Sequence, residues 1–276
     1  MPPDRYAIGS DLGGSKLRGG LVSLAGQLVG RVEVQTEAWK GSPGVLANLK
    51  GVISRLLDST EPARVAGIGI AAAGQIHPKT HAVVYAPNLE WENVPLRDEI
   101  ESAFGLPAYV ENDVRAAAWG EYRFGVGRGV QSLIAVFVGT GLGSGAVVDG
   151  ILLRGAGNAA GELGHTQVVP DGLPCACGRH GCVEAYASGH GFARRIWDDA
   201  ERYLGQAIGN YVTLLNPELL VLGGGVMTTV PGLAPALERQ VRAHATVLSR
   251  DVRVAHAGLG DSSAIFGAAD RVWGQV

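Results

Sequence analysis

Charged residues are scarce in this sequence, and none of them form a basic run. Of its 276 residues, 18% are charged, with 23 Lys and Arg against 26 Asp and Glu, which gives a formal net charge of −3. Proteins that bind nucleic acids or anionic membranes through their charge carry clustered cations. No nucleic-acid or membrane partner is therefore expected, and a small ligand is the better starting hypothesis.

Cysteine is also rare, and the amino terminus lacks an apolar stretch of secretory type. Three cysteines, an odd number, do not fit a disulfide framework. We therefore expect a cytoplasmic protein. The first strand-like segment begins at Tyr6, and we therefore expect no DNA-binding module in the five residues before it.

One long uncharged segment, residues 129–148, has the length of about 20 residues that a membrane-spanning helix needs. Glycine occupies every second position from 139 to 145, between two β-branched stretches. This pattern is typical of strand, turn and strand. We predict a hairpin here and no membrane segment.

Glycine, in contrast, is abundant, with 42 residues, about twice its usual share of about 7%. Glycine turns follow a strand-like segment in each half of the chain, after Asp11 and after Val138. Strand-like and helix-like segments alternate, which predicts a mixed α/β fold. The parallel between the halves predicts two copies of one supersecondary plan.

The predicted elements divide into two domains with a boundary near Asp113. We expect a small domain over 1–113, completed by a C-terminal helix within 262–276, and a large domain over 114–261. We predict strands over 6–11, 16–24, 28–36, 65–72, 133–138, 146–149, 151–154, 219–222 and 252–256. We predict helices over 43–57, 95–104 and 184–215, and a further helix that begins at about 231.

Three glycine turns are candidate phosphate sites. In the first, glycines would let a phosphate approach backbone N–H groups. Side chains there would add donors and a water-mediated magnesium ligand. The residues of this turn are Asp11, Gly13, Gly14, Ser15 and Lys16. A plain hairpin turn is the alternative, because such turns favour the same residue types.

The second and third turns are Gly139-Thr140-Gly141 and Gly223-Gly224-Gly225. A strand follows the second turn, whereas a dinucleotide fingerprint must open a helix. No Gly-Lys-Ser or Gly-Lys-Thr occurs, which excludes a Walker-type loop. Two phosphate turns facing each other across a cleft, with a third turn beside an adenosine, are typical of actin-like ATPases.

Four potential metal ligands lie close together in the sequence. The three cysteines fall within eight residues, ten positions after a histidine: His165, Cys175, Cys177 and Cys182. Three thiolates and one imidazole suit tetrahedral zinc, and a closed set of four ligands is structural. The alternative is three incidental thiols in a glycine-rich loop. We expect a structural zinc ion that orders the neighbouring Glu162 and Glu184.

Residues 161–165, Gly-Glu-Leu-Gly-His, and 175–184, Cys-Ala-Cys-Gly-Arg-His-Gly-Cys-Val-Glu, closely resemble the signature of the ROK family of bacterial sugar kinases and sugar-responsive repressors. The likeness extends to residues 11–16, 87–91, 111–113, 139–145 and 222–226, and so spans nearly the whole chain. It implies a duplicated, actin-like (ribonuclease H-like) two-domain fold with a cleft between the domains. It also implies a glucokinase-like enzyme that uses ATP to phosphorylate a hexose at its 6-hydroxyl.

The resemblance also implies roles for individual residues. Asp113 would be the catalytic base, and His165 would bind both sugar and zinc. The sugar-binding set would be Asn88, Asn112, Asp113, Glu162, His165 and Glu184. A helix N-cap is the alternative for Asp113, an ordinary turn residue for Asn88, and solvated charges for the two glutamates. Family members commonly form dimers or tetramers, so a homo-oligomer is expected.

The sequence departs from the family pattern in two places. Ala71-Ala72-Ala73-Gly74 stands where the family often has Gly-x-Pro-Gly, and the stretch from Gly189 to Leu222 is shorter by about two helices of average length. We therefore expect an altered adenine pocket or reduced nucleotide affinity. The alternative functions are a kinase for N-acetylglucosamine, N-acetylmannosamine or fructose, a sugar-sensing repressor, and a sugar-binding protein without catalysis.

Overall fold

The computed structural model describes residues 5–189 and 197–274. They divide into two compact units. The first consists of the described residues up to Phe124, of Arg154–Ala159, and of those from Ser262 onward. The second consists of Gly125–Leu153 and Ala160–Asp261.

The first unit is built on a five-stranded sheet. Its strands, in the order β3-β2-β1-β4-β8, are β1 (Tyr6–Leu12), β2 (Lys16–Ser23), β3 (Leu28–Gln35), β4 (Val65–Ala72) and β8 (Ala108–Asn112). A small antiparallel sheet contains β5 (Gln75–Ile76), β6 (Val83–Ala86) and β7 (Trp91–Val94). The helices are α1 (Gly41–Asp58), α2 (Leu96–Phe104) and α3 (Asp113–Arg123), with short 3₁₀ turns at Ala38–Lys40, Pro62–Arg64 and Pro87–Leu89.

The second unit contains a sheet in the order β11-β10-β9-β12-β13. Its strands are β9 (Leu133–Val138), β10 (Leu142–Val148), β11 (Ile151–Leu152), β12 (Leu219–Gly223) and β13 (Arg253–His256). Its helices are α4 (Val183–Ala187), α5 (Trp197–Leu215), α6 (Gly225–Thr229) and α7 (Leu233–His244), with a 3₁₀ turn at Leu163–His165. After the turn Gly260–Ser262, the last helix, α8 (Ser263–Trp273), belongs to the first unit.

The two large sheets share one topology, which confirms the predicted duplication. In each, the first strand pairs antiparallel with the second, which pairs antiparallel with the third. The first strand also pairs in parallel with a fourth, and the fourth with a fifth. Each sheet therefore has antiparallel strands on one side and parallel strands on the other.

The first segment of the first unit extends beyond the boundary expected near Asp113, because helix α3 belongs to it. Helix α3 packs along α8, and Gly120 makes this close approach possible: a side chain there would overlap the carbonyl oxygen of Ser263. The chain therefore leaves the first unit only after α3.

Several predicted elements differ from the structure. Strand β8 and the small sheet were not predicted, and β10 begins at Leu142 rather than Ala146. The predicted hairpin over 129–148 is confirmed by the antiparallel pairing of β9 and β10. In the helical region predicted from 184 to 215, residues 190–196 lie outside the described part of the chain. No helix among the described residues has the length and apolar character to cross a membrane.

Each unit has its own hydrophobic core. In the first, aliphatic side chains from the sheet and from α1 and α2 are fully buried, among them Ile8, Leu12, Leu49, Ile68 and Ile100. In the second, the sheet packs with α5 and α7 through residues that include Ile134, Val136, Leu204, Leu220 and Leu237. These cores hold the sheets rigid, so the strand ends are fixed relative to each other within a unit.

Helix α8 packs so closely on the first sheet that it leaves no room for a side chain at Gly69. A methyl group at this position of β4 would overlap the carbonyl oxygen of Ala268. We expect Gly69→Ala to lower the free energy of unfolding by about 1–3 kcal/mol, the usual cost of overpacking, as measured by denaturant unfolding. Gly51→Ala is the control, since Gly51 is exposed on α1 with open space around it. Equal stability of the two variants would contradict the packing.

Candidate active site and metal centre

Three parallel strands of the first unit end level with one another. Leu12 of β1 pairs with Ala72 of β4, which in turn pairs with Asn112 of β8. The residues that follow these strands therefore meet at one edge of the sheet, where open α/β sheets bind ligands. This brings the first glycine turn, the Ala73-Gly74 turn and the Asn112-Asp113 pair to the same edge, although they are far apart in sequence.

The first glycine turn contacts a predicted sugar-binding residue. A methyl group at Gly14 would lie 2.9 Å from the carbonyl oxygen and 3.0 Å from Cβ of Asn88. Asn88 is exposed on its 3₁₀ turn. The predicted phosphate turn and this predicted sugar residue are thus in direct contact.

Thr36, which was not predicted as a site residue, is hydrogen-bonded to the same turn. Its hydroxyl donates to the carbonyl oxygen of Gly13 at 2.6 Å, and its backbone N–H donates to the carbonyl oxygen of Ser15 at 3.0 Å. Thr36 is fully buried. Thr36 directly follows β3, so the end of β3 fixes the turn between β1 and β2.

The charged residues beside this turn pair with one another. The Asp11 carboxylate accepts from Arg18 at 3.1 Å, and Lys16 lies 2.8 Å from Glu33. Hydrogen bonds from Lys16 and then from Arg18 lower the pKa of Glu33 to about 2. Lys16, predicted as a phosphate donor, is therefore engaged by Glu33 here and keeps a half-exposed side chain.

Asn112 rather than Asp113 is the N-cap of α3, so the N-cap alternative for Asp113 is wrong. The Asn112 side-chain oxygen accepts from the backbone N–H groups of Val114 and Arg115, both at 3.1 Å. Its amide nitrogen donates to the Asp113 carboxylate at 3.0 Å and to the carbonyl oxygen of Gly74 at 3.2 Å. Asp113 is the first helical residue, where the positive end of the helix favours the ionised carboxylate.

A buried ionic network, not anticipated from the sequence, supports this segment. Glu111 is 4% exposed and accepts from Arg115 at 3.0 Å and from Arg154 at 2.7 Å. Arg115 also donates to the Asn158 side chain at 3.2 Å. Burial raises the pKa of Glu111, but the charges of the two arginines outweigh it and hold the pKa below its ordinary value. The network thus joins β8, α3 and residues 154–159.

The lowered pKa of Glu111 predicts how stability depends on pH. A carboxylate with a depressed folded-state pKa stabilises the protein above its ordinary pKa of 4.5, and the stabilisation is lost as the pH falls through the folded value. We expect Glu111→Gln to lose about 3–5 kcal/mol at pH 7, because two arginines lose their buried partner, and to show a smaller further loss on acidification. Unfolding from pH 7 to 3, with the exposed Glu92→Gln as control, tests this; parallel curves for wild type and Glu111→Gln would contradict it.

In the second unit, the other two glycine turns lie side by side. Gly223, the last residue of β12, pairs with Phe137 of β9, so the turns after both strands emerge at one edge. Gly224 has a φ of 91°, and a side chain there would overlap the carbonyl oxygen of Val138. Because both turns consist mainly of glycine, this edge of the sheet exposes backbone groups with few bulky side chains around them.

Two predicted sugar-binding carboxylates occupy the same unit. Glu184, in the first turn of α4, accepts from the backbone N–H of Leu142 at 2.9 Å and would lie 2.9 Å from a methyl group at Gly141. It therefore lies against the second glycine turn. The Glu162 carboxylate lies 4.0 Å from Nε2 of His165 and is 45% exposed.

The four predicted metal ligands come together in this unit. One ligand atom from each of His165, Cys175, Cys177 and Cys182 lies within 4.8 Å of the others. The Cys175 sulfur is 3.6 Å from Nδ1 of His165, and the sulfurs of Cys177 and Cys182 are 3.7 Å apart. Tetrahedral zinc with Zn–S bonds of about 2.3 Å separates its sulfurs by about 3.8 Å. The residues therefore fit a zinc ion, with Nδ1 of His165 towards the thiols and Nε2 towards Glu162.

The thiols of this centre have strongly perturbed pKa values. Burial raises the pKa of Cys175 and raises that of Cys182 to about 12. Burial also acts on Cys177, but hydrogen bonds from the backbone and side chain of Arg179 outweigh it and lower its pKa to about 6. Arg179 also donates to the carbonyl oxygen of His165 at 2.8 Å. A bound metal would therefore have to displace protons from two of the three thiols.

Two sheets of one topology, each with glycine turns at the ends of its parallel strands, define the actin-like fold class. Within that class the chain belongs to the ROK family, whose pattern matches residues 7–202 and 192–274. The family resemblance and the fold predicted from the sequence are thereby confirmed.

The chain is similar to several glucokinases. It is 40% identical to the glucokinase of Streptomyces coelicolor over 191 residues, which are 68% of this chain and 57% of that protein. It is 31% identical over 286 residues to the glucokinase of Halalkalibacterium halodurans, covering 88% of this chain and 87% of that one. The crystal structure of a ROK family glucokinase from Streptomyces griseus, in complex with glucose and AMPPNP, matches with a TM-score of 0.87 and 30% identity over 96% of this chain and 98% of that one. The match thus spans little more than half the length of the S. coelicolor protein.

Proposed function

We propose that this chain is a glucokinase-like, ATP-dependent hexose kinase that transfers the terminal phosphoryl group of ATP to the 6-hydroxyl of glucose. The observation that carries the proposal is the common edge of the first sheet, where the Gly13-Gly14 turn touches Asn88 and where Asn112 ends β8 and Asp113 begins α3. A phosphate cradle and sugar-binding amides so close together suit phosphoryl transfer to a sugar. The similar glucokinases support the same reaction.

Asp113 is the general base of the proposed reaction. It takes the proton of the 6-hydroxyl as that oxygen attacks the terminal phosphorus of ATP and ADP leaves. Asn112 holds its carboxylate through a 3.0 Å hydrogen bond. Asp113 lies in the first turn of α3, at the positive end of the helix, where a carboxylate interacts favourably with the helix dipole.

The proposed sugar-binding residues have the side chains that recognise hydroxyl groups. Hydroxyl groups both donate and accept hydrogen bonds, so carboxylates, amides and an imidazole recognise them in pairs. The proposed set is Asn88, Asn112, Asp113, Glu162, His165 and Glu184.

The glycine turns hold the nucleotide through backbone N–H groups. The turn at Gly13 to Ser15 and the turn at Gly139 to Gly141 bind phosphates, and Gly223 to Gly225 lie beside the adenosine. Magnesium, held by Asp11 through water, would neutralise charge on the phosphates. A structural zinc ion held by His165 and the three cysteines would fix the loop that precedes Glu184.

The cellular setting of the proposal follows from the same residues. Three free thiols in one metal centre suit a reducing compartment, so we place the enzyme in the cytoplasm, where it would supply glycolysis with phosphorylated glucose. We propose a dimer or a tetramer, as expected for the family. A kinase for N-acetylglucosamine, N-acetylmannosamine or fructose is the second candidate, since the same hydroxyl-binding groups serve each of these sugars.

The test is ADP release measured across a panel of hexoses with and without magnesium. We expect magnesium-dependent turnover with the highest kcat/KM for glucose. A higher kcat/KM for another hexose would transfer the assignment to that sugar, and no turnover with any sugar would overturn the proposal in favour of a non-catalytic sugar sensor.

A further inference from the structure

A polar cavity lies in the first unit, beside β8. Its volume is about 160 Å³. Its polar lining comes from separate parts of the unit: His81, Tyr109, Glu111, Arg154, Asn158 and Arg271. None of these belongs to the proposed sugar, nucleotide or metal residues, although Glu111, Arg154 and Asn158 belong to the ionic network that supports Asn112.

Two arginines of this cavity have hydrogen-bonding capacity that the protein leaves unused. One terminal nitrogen of Arg154, Nη2, is buried without a hydrogen-bond partner among the described residues. Arg271 lies on α8, and its guanidinium has no hydrogen bond or ion pair with any described residue. Buried donors without acceptors are costly, and most such groups in proteins are satisfied by water or a ligand.

The acidic groups nearby do not balance these two cations. Glu111 uses one carboxylate oxygen for Arg115 and the other for Arg154. Asp270, the neighbour of Arg271 in sequence, accepts from Trp119 at 2.8 Å and from Arg123 at 3.2 Å. Burial lowers the pKa of Arg271 and the charge of Arg154 lowers it further, and together they outweigh the charges of Glu111 and Asp270, which raise it. The cavity therefore has an excess of positive charge in a partly desolvated place.

We propose that this cavity is a binding site for a phosphate group, held between Arg154 and Arg271. Arginine is suited to this task because its planar guanidinium presents paired donors to phosphate oxygens. The volume admits inorganic phosphate or the phosphate end of a small metabolite, but falls well below the roughly 300–1,000 Å³ of pockets for larger ligands. A whole nucleotide is too large for this volume.

Phosphate bound in this cavity would stabilise residues 111–113 through Arg154. Arg154 is bonded to Glu111, which also accepts from the backbone N–H of Asn112 at 3.0 Å. Residues 154–159 join the first unit although the chain on both sides of them belongs to the second. A ligand between Arg154 and Arg271 would tie this short segment to α8 and stiffen the support of Asn112.

The experiment measures binding of inorganic phosphate to the full chain by calorimetry and thermal unfolding, with chloride at matched ionic strength as reference. We expect phosphate to raise the Tm of the wild type. Arg271→Gln should weaken the phosphate affinity at least about tenfold, as charge-assisted hydrogen bonds are lost. The control is Arg55→Gln, which removes an exposed arginine of α1 outside the cavity.

The variant also separates a binding role from a structural one. Without phosphate, Arg271→Gln should unfold at or above the wild-type Tm, because it removes a charge that faces Arg154. A lower Tm without phosphate would assign Arg271 to the fold and overturn the proposal. Arg271→Lys, which keeps the charge but not the paired donors, should retain part of the affinity.

Two ligand arms identify the source of the phosphate group. Inorganic phosphate and glycerol phosphate are titrated separately into wild type and Arg271→Gln. Binding of either that depends on Arg271 supports the site and names its occupant as a free ion or a phosphate ester. Equal binding to both proteins would place the phosphate at the glycine turns, and no binding to the wild type would equally overturn the proposal. Because no turnover is measured, the result does not depend on the proposed kinase activity.

Discussion

Replacing Asp113 with asparagine is expected to abolish sugar phosphorylation while leaving the fold intact. The variant keeps an oxygen that can accept from Val114, whose N–H lies 2.9 Å from the Asp113 carboxylate. It loses the ability to take a proton, and general-base help contributes roughly 100-fold to 10,000-fold to a rate. We therefore expect kcat for ADP release to fall by about that factor, with the KM for glucose and the Tm close to those of the wild type.

The matched control for this variant is Asp98→Asn. Asp98 also lies in the first turn of a helix of the first unit, α2, and its side chain is 63% exposed. It should turn over at the wild-type rate. Full activity in Asp113→Asn would remove Asp113 from the role of base, and a large fall in Tm would show instead that its carboxylate mainly stabilises the start of α3.

Loss of the proposed zinc site should have the second large effect. We expect Cys177→Ser to purify without zinc and to lose at least about tenfold in kcat/KM, in line with the 10- to 100-fold effects of disturbing groups that orient a site. The physical reason is that Cys182 lies close to Glu184 in the sequence, so losing the zinc ion would release the loop that positions Glu184. In addition, His165 is proposed to bind both the zinc ion and the sugar. Zinc content by atomic spectroscopy, together with ADP release, measures both effects.

The loop supplies its own control, because it contains a second histidine outside the ligand set. His180 is exposed, and its backbone rather than its side chain bonds to Gln167. His180→Asn should keep about one zinc ion per chain and wild-type activity. A zinc-free Cys177→Ser with full activity would show that the centre is dispensable for catalysis, and a zinc-replete one would exclude Cys177 as a ligand.

The sequence sufficed for features that depend on local patterns. The duplicated topology was predictable because both copies open with a strand, a glycine turn and a returning strand. The cluster of His165 with three cysteines was predictable because metal ligands are of few types and lie close in the chain. The metal itself and the roles of the sugar-binding residues remain predictions.

Other features depend on distant partners and were not predictable. Strand β8 ends in Glu111-Asn112, polar residues that are unusual in a strand, and only Arg115 together with Arg154, 43 positions away, makes a buried carboxylate tolerable there. Asn112 and Asp113 are both good N-cap residues, so local preference could not choose between them. In the structure Asn112 is the N-cap, and its side chain also hydrogen-bonds to Gly74, which lies 38 residues away in the sequence.

The level ends of β1, β4 and β8 determine which changes in chain length the protein can tolerate. A residue inserted or deleted within one of these strands would displace its end by about 3.3 Å and turn its alternate side chains to the opposite face. Such an indel would separate Asn112 from Gly74, or Gly14 from Asn88, without altering any of those residues. Length variation among homologues should accordingly concentrate in the connections between strands, while the spacing from Tyr6 to Gly14 and from Ala108 to Asp113 stays constant.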